Sequence, residues 1–315
     1  MYHEVDDASK LQRELLERYE GRNLEEVFKG ETCKTPQGSC YKIEDREKFK
    51  IKRIEVDKAK SAILCDLKIL QGIGEAKEHK LKTKGFNTIE DLRNHPTYSH
   101  KADEFICKLD ESPMDCIREY FPGSNPKQVY SSSFRELNDF LFFDIETLGL
   151  RNEPVILIGM ARILDSHMKV TQYLATGLDD EKPIIQNFLS DLNEETVFVS
   201  FNGRGFDLPF IRSRAYHHGI SRRLRNHHMD MLYLSRRTWG GALPNCRLQT
   251  LEKHFFDLYR QDDVPSSQVP AFYRTYMNTG NVGPLVPIVE HNKIDIITLA
   301  RILSKLNEDL ITAHI

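Results

Sequence analysis

Apolar side chains recur along the chain with two different periods. A spacing of three and four residues, which is typical of helices with one buried face, occurs in residues 8–29 and in residues 59–93. Apolar runs predict four strands, at Phe140–Ile145, Val155–Ile163, Val170–Leu174 and Val197–Phe201. Helical spacing predicts helices near 181–192, 207–218, 230–238, 247–256 and 284–306. Strands followed by strands alternating with helices favour an α/β fold with a mixed sheet.

The order of these patterns suggests three parts. Residues 1–110 are predicted to form a smaller, mainly helical N-terminal region, with one hairpin at 31–44 that turns at Pro36–Gln37–Gly38. Residues 111–132 are rich in Pro, Ser and Gly and are predicted to be a connector, and residues 133–315 contain the sheet. Cys33 and Cys40 flank the hairpin turn without a second Cys or His pair nearby, so we expect them to pack rather than to bind zinc.

Composition narrows the class of protein. Hydrophobic residues make up 40% of the 315 residues, which is normal for a packed globular chain, and the formal net charge is −3. No apolar stretch approaches the roughly 18 residues of a membrane span, and the first residues lack a signal-peptide layout. With 6 cysteines, too few for a disulfide scaffold, we expect a cytoplasmic protein with no membrane partner. The oligomeric state stays open.

Positive charge is concentrated in one segment. From Arg204 to Arg237 there are eight arginines, no lysine and only two acids, Asp207 and Asp230. This excess favours a surface that faces a polyanion, with a solvated helix face as the alternative.

Two acids share one predicted strand. Asp144 and Glu146 lie in FLFFDIET, where alternation places residues i and i+2 on the same face. Two carboxylates on a buried face are unfavourable unless a cation neutralises them, and a divalent ion does this well. The alternative is an exposed strand end with two solvated acids.

Two further acids are predicted to lie on helices. Asp207 begins a helix after Asn202–Gly203, where an Asp alone is often only a partner of the helix dipole. Asp295 follows His291 by four residues in an apolar helix, so both side chains lie on one face. A surface hydrogen bond between His291 and Asp295 is the alternative to a functional site.

Together these segments resemble a known family. FDIET and SFNGRGFDLPFI look like the first two motifs of the DnaQ-like, or DEDD, 3′–5′ exonucleases, which have a ribonuclease-H-like fold. The similarity is closer to the YprB-like branch, through CRLQTLEKHFF, RQDDVPSSQVPAFYRTYM and VEHNKIDIITLARIL. The resemblance covers most of residues 130–315 and implies a ribonuclease-H-like mixed sheet flanked by helices.

The resemblance also implies a mechanism with two Mg²⁺ or Mn²⁺ ions. It implies that Asp144 bridges both ions, that Glu146 and Asp295 complete the water-activating ion, and that Asp207 holds the second ion through a water. It makes His291 the residue that orients or deprotonates the attacking water. It further places Asn202 at the terminal nucleotide and Leu148 beside the base of that nucleotide.

Two features depart from this pattern or add to it. His291 stands at the spacing that tyrosine has in the common third motif, which leaves the assignment of the base open. Asp262–Asp263 match a signature of the YprB-like branch whose chemical role does not follow from the sequence, and Asp230 is a candidate supporting acid.

Two segments are predicted to bind nucleic acid. LKILQGIGEAKEHKLKTKGFNTIEDL resembles one helix-hairpin-helix unit, with Gly72 and Gly74 in its turn, Lys77 after it and a second helix from Thr88. Such units also serve only in packing. The arginines expected to hold phosphates without reading bases are Arg212, Arg214, Arg222, Arg223 and Arg225.

The sequence therefore predicts a metal-dependent 3′–5′ exonuclease that releases mononucleotides from single-stranded DNA. DNA is favoured because helix-hairpin-helix units are commoner in DNA-binding proteins and the motifs resemble proofreading domains. An exoribonuclease acting on RNA 3′ ends is the first alternative. A nucleic-acid-binding module with an inactive nuclease site is an alternative of another class, against which the presence of all four acids argues.

Overall fold

The computed structural model describes residues 2–121, 123–260 and 263–313. Within them, seven strands form one sheet: β1 (Glu31–Thr35), β2 (Gly38–Lys48), β3 (Phe140–Thr147), β4 (Val155–Leu164), β5 (His167–Leu174), β6 (Val197–Ser200) and β7 (His228–Asp230). The strand order is β1-β2-β5-β4-β3-β6-β7. Strands β1 to β5 pair antiparallel, whereas β6 pairs parallel with β3 and with β7. The expected mixed α/β sheet is confirmed.

The helices of the described residues have the following bounds: α1 (Tyr2–Arg18), α2 (Leu24–Phe28), α3 (Val56–Leu64), α4 (Glu75–Thr83), α5 (Ser99–Glu111), α6 (Pro113–Tyr120), α7 (Glu181–Ser190), α8 (Asp207–His217), α9 (Met231–Trp239), α10 (Leu248–Phe256), α11 (Val269–Thr279) and α12 (Val286–Ala313). The sequence analysis did not predict α11, in which Pro270 lies in the first turn. None of the described helices is long and apolar enough to cross a membrane.

The chain divides into two compact units. The first contains the residues up to Lys50, Asn138–Leu232 and Asn245–Ala300, and it includes the whole sheet. Its core contains Phe143, Phe188 and Phe198, whose ring centroids lie 5.4–6.5 Å apart. The second contains Ile51–Leu137, Tyr233–Pro244 and the residues from Arg301. Its core is built on buried side chains such as Ile63, Leu67, Phe105 and Ile117.

This division differs from the boundaries expected at residues 110 and 132. The hairpin assigned to the N-terminal region adds β1 and β2 to the sheet, and β2 pairs with β5 from Tyr41↔Leu174 to Lys48↔His167. An open edge of β5 is thereby covered, which a local sequence pattern does not reveal.

The described residues of the segment expected to be a connector are mostly helical. Pro113 opens α6 and Pro126 opens a 3₁₀ helix over Pro126–Ser133, positions that tolerate proline because the first amides of a helix have no partner inside it. Cys116, Ile117 and Tyr130 are buried. Proline here begins helices rather than interrupting them.

Candidate active site

The acids of β3 lie beneath α12. Glu146 is buried and Asp144 is half-buried, and the i, i+2 spacing places them on one face of the strand. Asn292 of α12 donates from Nδ2 to Oδ2 of Asp144 at 2.9 Å and to its carbonyl oxygen at 3.2 Å. The pairing of β3 with β4 shifts register after Glu146, so the regular strand ends just beyond the two acids.

A tight loop brings Asp207 to the same strand. β6 ends at Ser200, Asn202 has a φ of 64°, and α8 begins at Asp207. A Cβ on Gly203 would lie 2.3 Å from Oγ of Ser200 and 3.3 Å from Oδ2 of Asp207, so this position requires glycine. The amide of Ile145 donates to Oδ1 of Asp207 at 3.2 Å, which ties the start of α8 to β3.

The carboxylate of Asp230 holds the loop between β6 and α8 in place. Its buried carboxylate accepts hydrogen bonds from the backbone amides of Asn202 (2.8 Å), Arg204 (3.1 Å) and Leu232 (3.1 Å). Both carboxylate oxygens of Asp230 are thus hydrogen-bonded to backbone N–H groups. Asp230 therefore shapes the loop that carries Asn202 and leads to Asp207.

The third element, α12, brings His291 and Asp295. Nε2 of His291 lies 3.7 Å from Oδ2 of Asp295, and its Nδ1 lies 2.6 Å from Oδ1 of Asp263. Gln249 donates to the other oxygen of Asp263 at 2.9 Å. Asp263 therefore holds the ring of His291 in place. This contact is a structural role for the second residue of the Asp262–Asp263 signature. Asp262 itself lies outside the described residues.

Arg260 supplies a buried cation beside this pair. Its Nε donates to Oε2 of Glu252 at 2.8 Å, and its Nη2 donates to Oε1 of Glu252 and to Oδ1 of Asp295. Its side chain is only 5% exposed. Arg260 therefore neutralises Glu252 while it also holds Asp295.

Burial and mutual repulsion dominate the electrostatics of the four acids. Burial and the charges of Asp295, Asp207 and Glu146 hold the pKa of Asp144 well above its ordinary value. Burial, together with Asp295 and Asp207, does the same to the pKa of Glu146. Burial raises the pKa of Asp207 to about 7 against the backbone hydrogen bonds that it accepts. Burial also raises the pKa of Asp295, although His291 and Arg260 oppose the shift.

Asp263 and His291 form an ion pair of their own. Burial alone would lower the pKa of His291, but the hydrogen bond to Asp263 and the charges of Asp295 and Asp263 raise it. Burial alone would raise the pKa of Asp263, but His291 and Arg260 lower it. Asp263 therefore balances the charge of His291, and Glu252 balances most of the charge of Arg260, so little positive charge is left for the four acids.

The chemistry of the four carboxylates Asp144, Glu146, Asp207 and Asp295 suits divalent cations. Four buried or half-buried carboxylates offer the hard oxygen ligands that Mg²⁺ and Mn²⁺ prefer, in a place where added positive charge relieves repulsion. As the described side chains are placed, no three His, Cys, Asp or Glu stand close enough to hold an ion. In this arrangement Asp295 is paired with Arg260.

The structure separates the predicted phosphate-binding arginines into two groups. Arg214 is buried and donates to both oxygens of Glu181 at 2.6 and 2.7 Å. It therefore holds α8 against α7 and is not available to bind phosphate. Arg212 donates to the carbonyl of Leu224, and Arg222 to those of Leu189 and Leu192, so both anchor the loop after α8. Arg223 and Arg225 are exposed.

The remaining residues that were predicted to contact nucleic acid lie outside the arginine segment or before it. Asn202 is exposed at the mouth of its loop, and Leu148 is half-buried against the core. In the second unit, Gly72 has a φ of 96°, Gly74 caps the N-terminus of α4, and Lys77 donates to the carbonyl of Gly72 at 2.8 Å. The helix expected from Thr88 is a 3₁₀ helix at Asp91–Asn94, and Asp91 accepts the amides of Asn87 and Thr88, each at 2.8 Å.

Sequence reasoning missed several residues of this site: Gly159, Gln172, Glu252, Arg260 and Asn292. Each acts through a contact distant in sequence, such as the 148 positions between Asn292 and Asp144. A signal did exist for Asn292, because an amide directly after His291 on the buried face of an apolar helix needs a polar partner.

Sheet, helices and clustered acids define an α/β protein of the ribonuclease-H type. The profile of the RNase H superfamily matches residues 141–307, more than half of the chain, and the chain therefore belongs to that superfamily.

Relatives agree with this assignment and with the YprB-like branch. The chain is 29% identical over 182 residues to the uncharacterized protein YprB of Bacillus subtilis, a match that covers 56% of this chain and 43% of YprB. It is 26% identical over 212 residues to a PolC-type DNA polymerase III of Caldanaerobacter subterraneus, covering 54% of this chain and 15% of the polymerase. The chain thus spans less than half the length of either relative. A solved family B DNA polymerase of Pyrobaculum calidifontis overlays 53% of this chain and 24% of its own length, with a TM-score of 0.43 and 20% identity.

Proposed function

We propose that this protein is a metal-dependent 3′–5′ exonuclease that hydrolyses phosphodiester bonds, with single-stranded DNA as its preferred substrate. The observation that carries the proposal is the convergence of four acids from β3, α8 and α12: buried Glu146 and Asp207, and half-buried Asp144 and Asp295. Membership of the RNase H superfamily and similarity to a DNA polymerase support it.

The four acids are the residues that would hold two Mg²⁺ or Mn²⁺ ions. When bound, such ions supply an activated water and stabilise charge on the leaving oxygen. Without them the acids raise one another's pKa, so the site has an intrinsic demand for positive charge that the neutral Arg260–Glu252 pair does not meet.

His291 is proposed to take the proton of the attacking water. His291 can take this proton only in its neutral form, in which Nδ1–H is donated to Asp263 at 2.6 Å and Nε2, on the side of Asp295, is the acceptor. Asp263 therefore orients the imidazole, as a carboxylate does for a general base in other hydrolases.

Nucleic acid is proposed to bind through two surfaces. In the first unit, Asn202 and Leu148 would contact the terminal nucleotide, and exposed Arg223 and Arg225 would contact phosphates. In the second, the turn at Gly72 and Gly74 with Lys77 would add affinity for DNA without sequence preference.

The test is hydrolysis of matched 5′-labelled DNA and RNA oligonucleotides, single- and double-stranded, with Mn²⁺ and with EDTA. A 3′-shortened ladder from single-stranded DNA, dependent on metal, is the expected result. Faster RNA trimming would favour the exoribonuclease. Binding without cleavage, with purified protein that binds Mn²⁺, would favour a nucleic-acid-binding module.

The hairpin unit needs point variants, because β1 and β2 belong to the sheet and deletion of residues 1–110 would remove them. Replacing exposed Lys77, Lys80 and Lys84 by Gln should raise KM on long strands and leave kcat on short oligonucleotides unchanged. Unchanged KM would assign the unit to packing alone.

A further inference from the structure

Three residues form a row across three neighbouring strands. Asp144 of β3 is the register partner of Gly159 of β4, and Gly159 is the register partner of Gln172 of β5. Residues directly opposite each other in neighbouring strands project to the same face of a sheet. The row therefore presents a carboxylate, a gap without a side chain and an amide, in that order.

Asn292 of α12 fills the gap. A Cβ on Gly159 would lie 1.8 Å from Oδ1 of Asn292 and 2.4 Å from Cδ1 of Ile296, so only glycine admits the helix this close to the sheet. The side chain of Asn292 is fully buried. A buried amide without partners would be unfavourable, and this one is hydrogen-bonded at both its oxygen and its nitrogen.

The two ends of Asn292 contact different partners. Nε2 of Gln172 donates to Oδ1 of Asn292 at 2.9 Å and to the carbonyl of Val289 at 2.8 Å. Nδ2 of Asn292 donates to Oδ2 of Asp144 at 2.9 Å and to the carbonyl of Asp144 at 3.2 Å. If the amide were turned over, Oδ1 would face two acceptors and Nδ2 would face a donor, so Gln172 fixes the orientation that Asp144 needs.

We propose that Asn292 is a positioning residue that holds the carboxylate of Asp144 ready for a divalent ion, with Gln172 setting the direction of its amide. The inference rests on the proposed function, in which Asp144 is the acid shared by the ions. Outer hydrogen-bond partners of metal-binding carboxylates affect metal affinity or activity by roughly 10–100-fold. Asn292 donates to one carboxylate oxygen and to the backbone of the same residue, which restricts the rotation of its side chain.

The direct test is calorimetric titration of substrate-free Asn292→Ala with Mn²⁺, beside wild-type protein. We expect binding weakened about 10–100-fold, a similar fall in kcat, and a KM for oligonucleotide within about twofold of wild type. Asn307→Ala is the matched control, because Asn307 is buried in the same helix but its Oδ1 accepts from Ser132 at 2.9 Å, away from Asp144. It should bind Mn²⁺ like wild type.

A second variant separates positioning from simple loss of folding. Gln172→Met removes the donor to Asn292 without touching Asp144, and it should weaken Mn²⁺ binding in the same direction by a smaller factor. In the double variant the effects on Mn²⁺ binding should not add, because Gln172 reaches Asp144 only through Asn292. Additive effects, or Mn²⁺ affinity unchanged in folded Asn292→Ala, would overturn the inference. Wild-type protein that binds Mn²⁺ but cleaves no nucleic acid would instead refute the proposed function.

Discussion

One guanidinium, that of Arg260, bonds both Glu252 and Asp295. The Glu252 side chain is only 1% exposed, and Thr298 donates to its Oε1 at 2.8 Å. Arg260 therefore belongs to two assemblies: a buried ion pair that joins α10 to the segment after it, and the group of acids on which the proposed chemistry depends.

Replacing Arg260 should weaken the fold before it affects chemistry. Arg260→Gln leaves the buried charge of Glu252 without a cation, and breaking such a pair usually lowers the free energy of unfolding by about 3–5 kcal/mol. Urea unfolding in EDTA measures this directly. The double variant Glu252→Gln, Arg260→Gln leaves no buried charge there and should recover most of the loss. A double variant as unstable as Arg260→Gln would contradict this account.

Asp144→Asn should separate metal binding from folding. The change removes one of four mutually repelling acids, so the metal-free protein should unfold at the same temperature as wild type or higher. Hydrolysis should fall below detection. Mn²⁺ at about 100 times its Kd should stabilise wild type by about 2.7 kcal/mol and leave the variant unchanged.

Thermal unfolding with and without EDTA gives the measurement for Asp144→Asn. Asp115→Asn, an exposed acid of α6 paired with Arg118, is the control and should respond to Mn²⁺ like wild type. Equal stabilisation of Asp144→Asn and wild type by Mn²⁺ would exclude Asp144 as a ligand.

His291→Ala should lower kcat by about 10²–10⁴-fold, the usual effect of a positioned acid or base. Asp263→Asn should reduce kcat less, because the ring loses its charged partner at Nδ1 but stays in place. His291→Tyr creates the tyrosine form of the third motif and should restore part of the rate if orientation of the water matters more than proton transfer. Steady-state kinetics with exposed His254→Ala as control tests the series, and full activity of His291→Ala would remove the base assignment.

The sequence predicted the acids of this site and not the residues that hold them, for a physical reason. Asp144 and Glu146 stand out because burial on a strand and a spacing of two are local properties. Asn292 and Arg260 act on acids 148 and 35 positions away, so no local pattern connects them. Composition likewise shows that arginines are frequent after Asp207, but not that Arg214 is buried against Glu181.

Glu181 should give the protein a specific sensitivity to acid. Burial would raise its pKa, but Arg214, the amide of Val155 and His218 lower it below the ordinary value. An Asp or Glu with a lowered folded pKa stabilises the protein above its unfolded pKa of about 4.3, and this contribution is lost as pH falls through the folded value. Glu181→Gln should thus be much less stable than wild type at pH 7, and the difference should shrink below about pH 4. A difference in unfolding free energy that stays constant with pH would contradict the ion pair.

The loop arginines should separate into binding and structural residues. Arg223→Gln with Arg225→Gln removes two exposed charges, so the salt dependence of single-strand binding should flatten by about 1.4 in log–log slope, at about 0.7 per lost phosphate contact, with an unchanged unfolding temperature. Arg222→Gln should instead lower the unfolding temperature and leave the salt dependence of binding unchanged. The reason is that the carbonyls of Leu189 and Leu192 lose their hydrogen-bond donor. Fluorescence anisotropy over a range of salt concentrations and thermal melts give the two readouts, with exposed Arg274→Gln of α11 as control. If the double variant keeps the full salt slope, the strand runs elsewhere, and Arg223 and Arg225 are ordinary solvated charges.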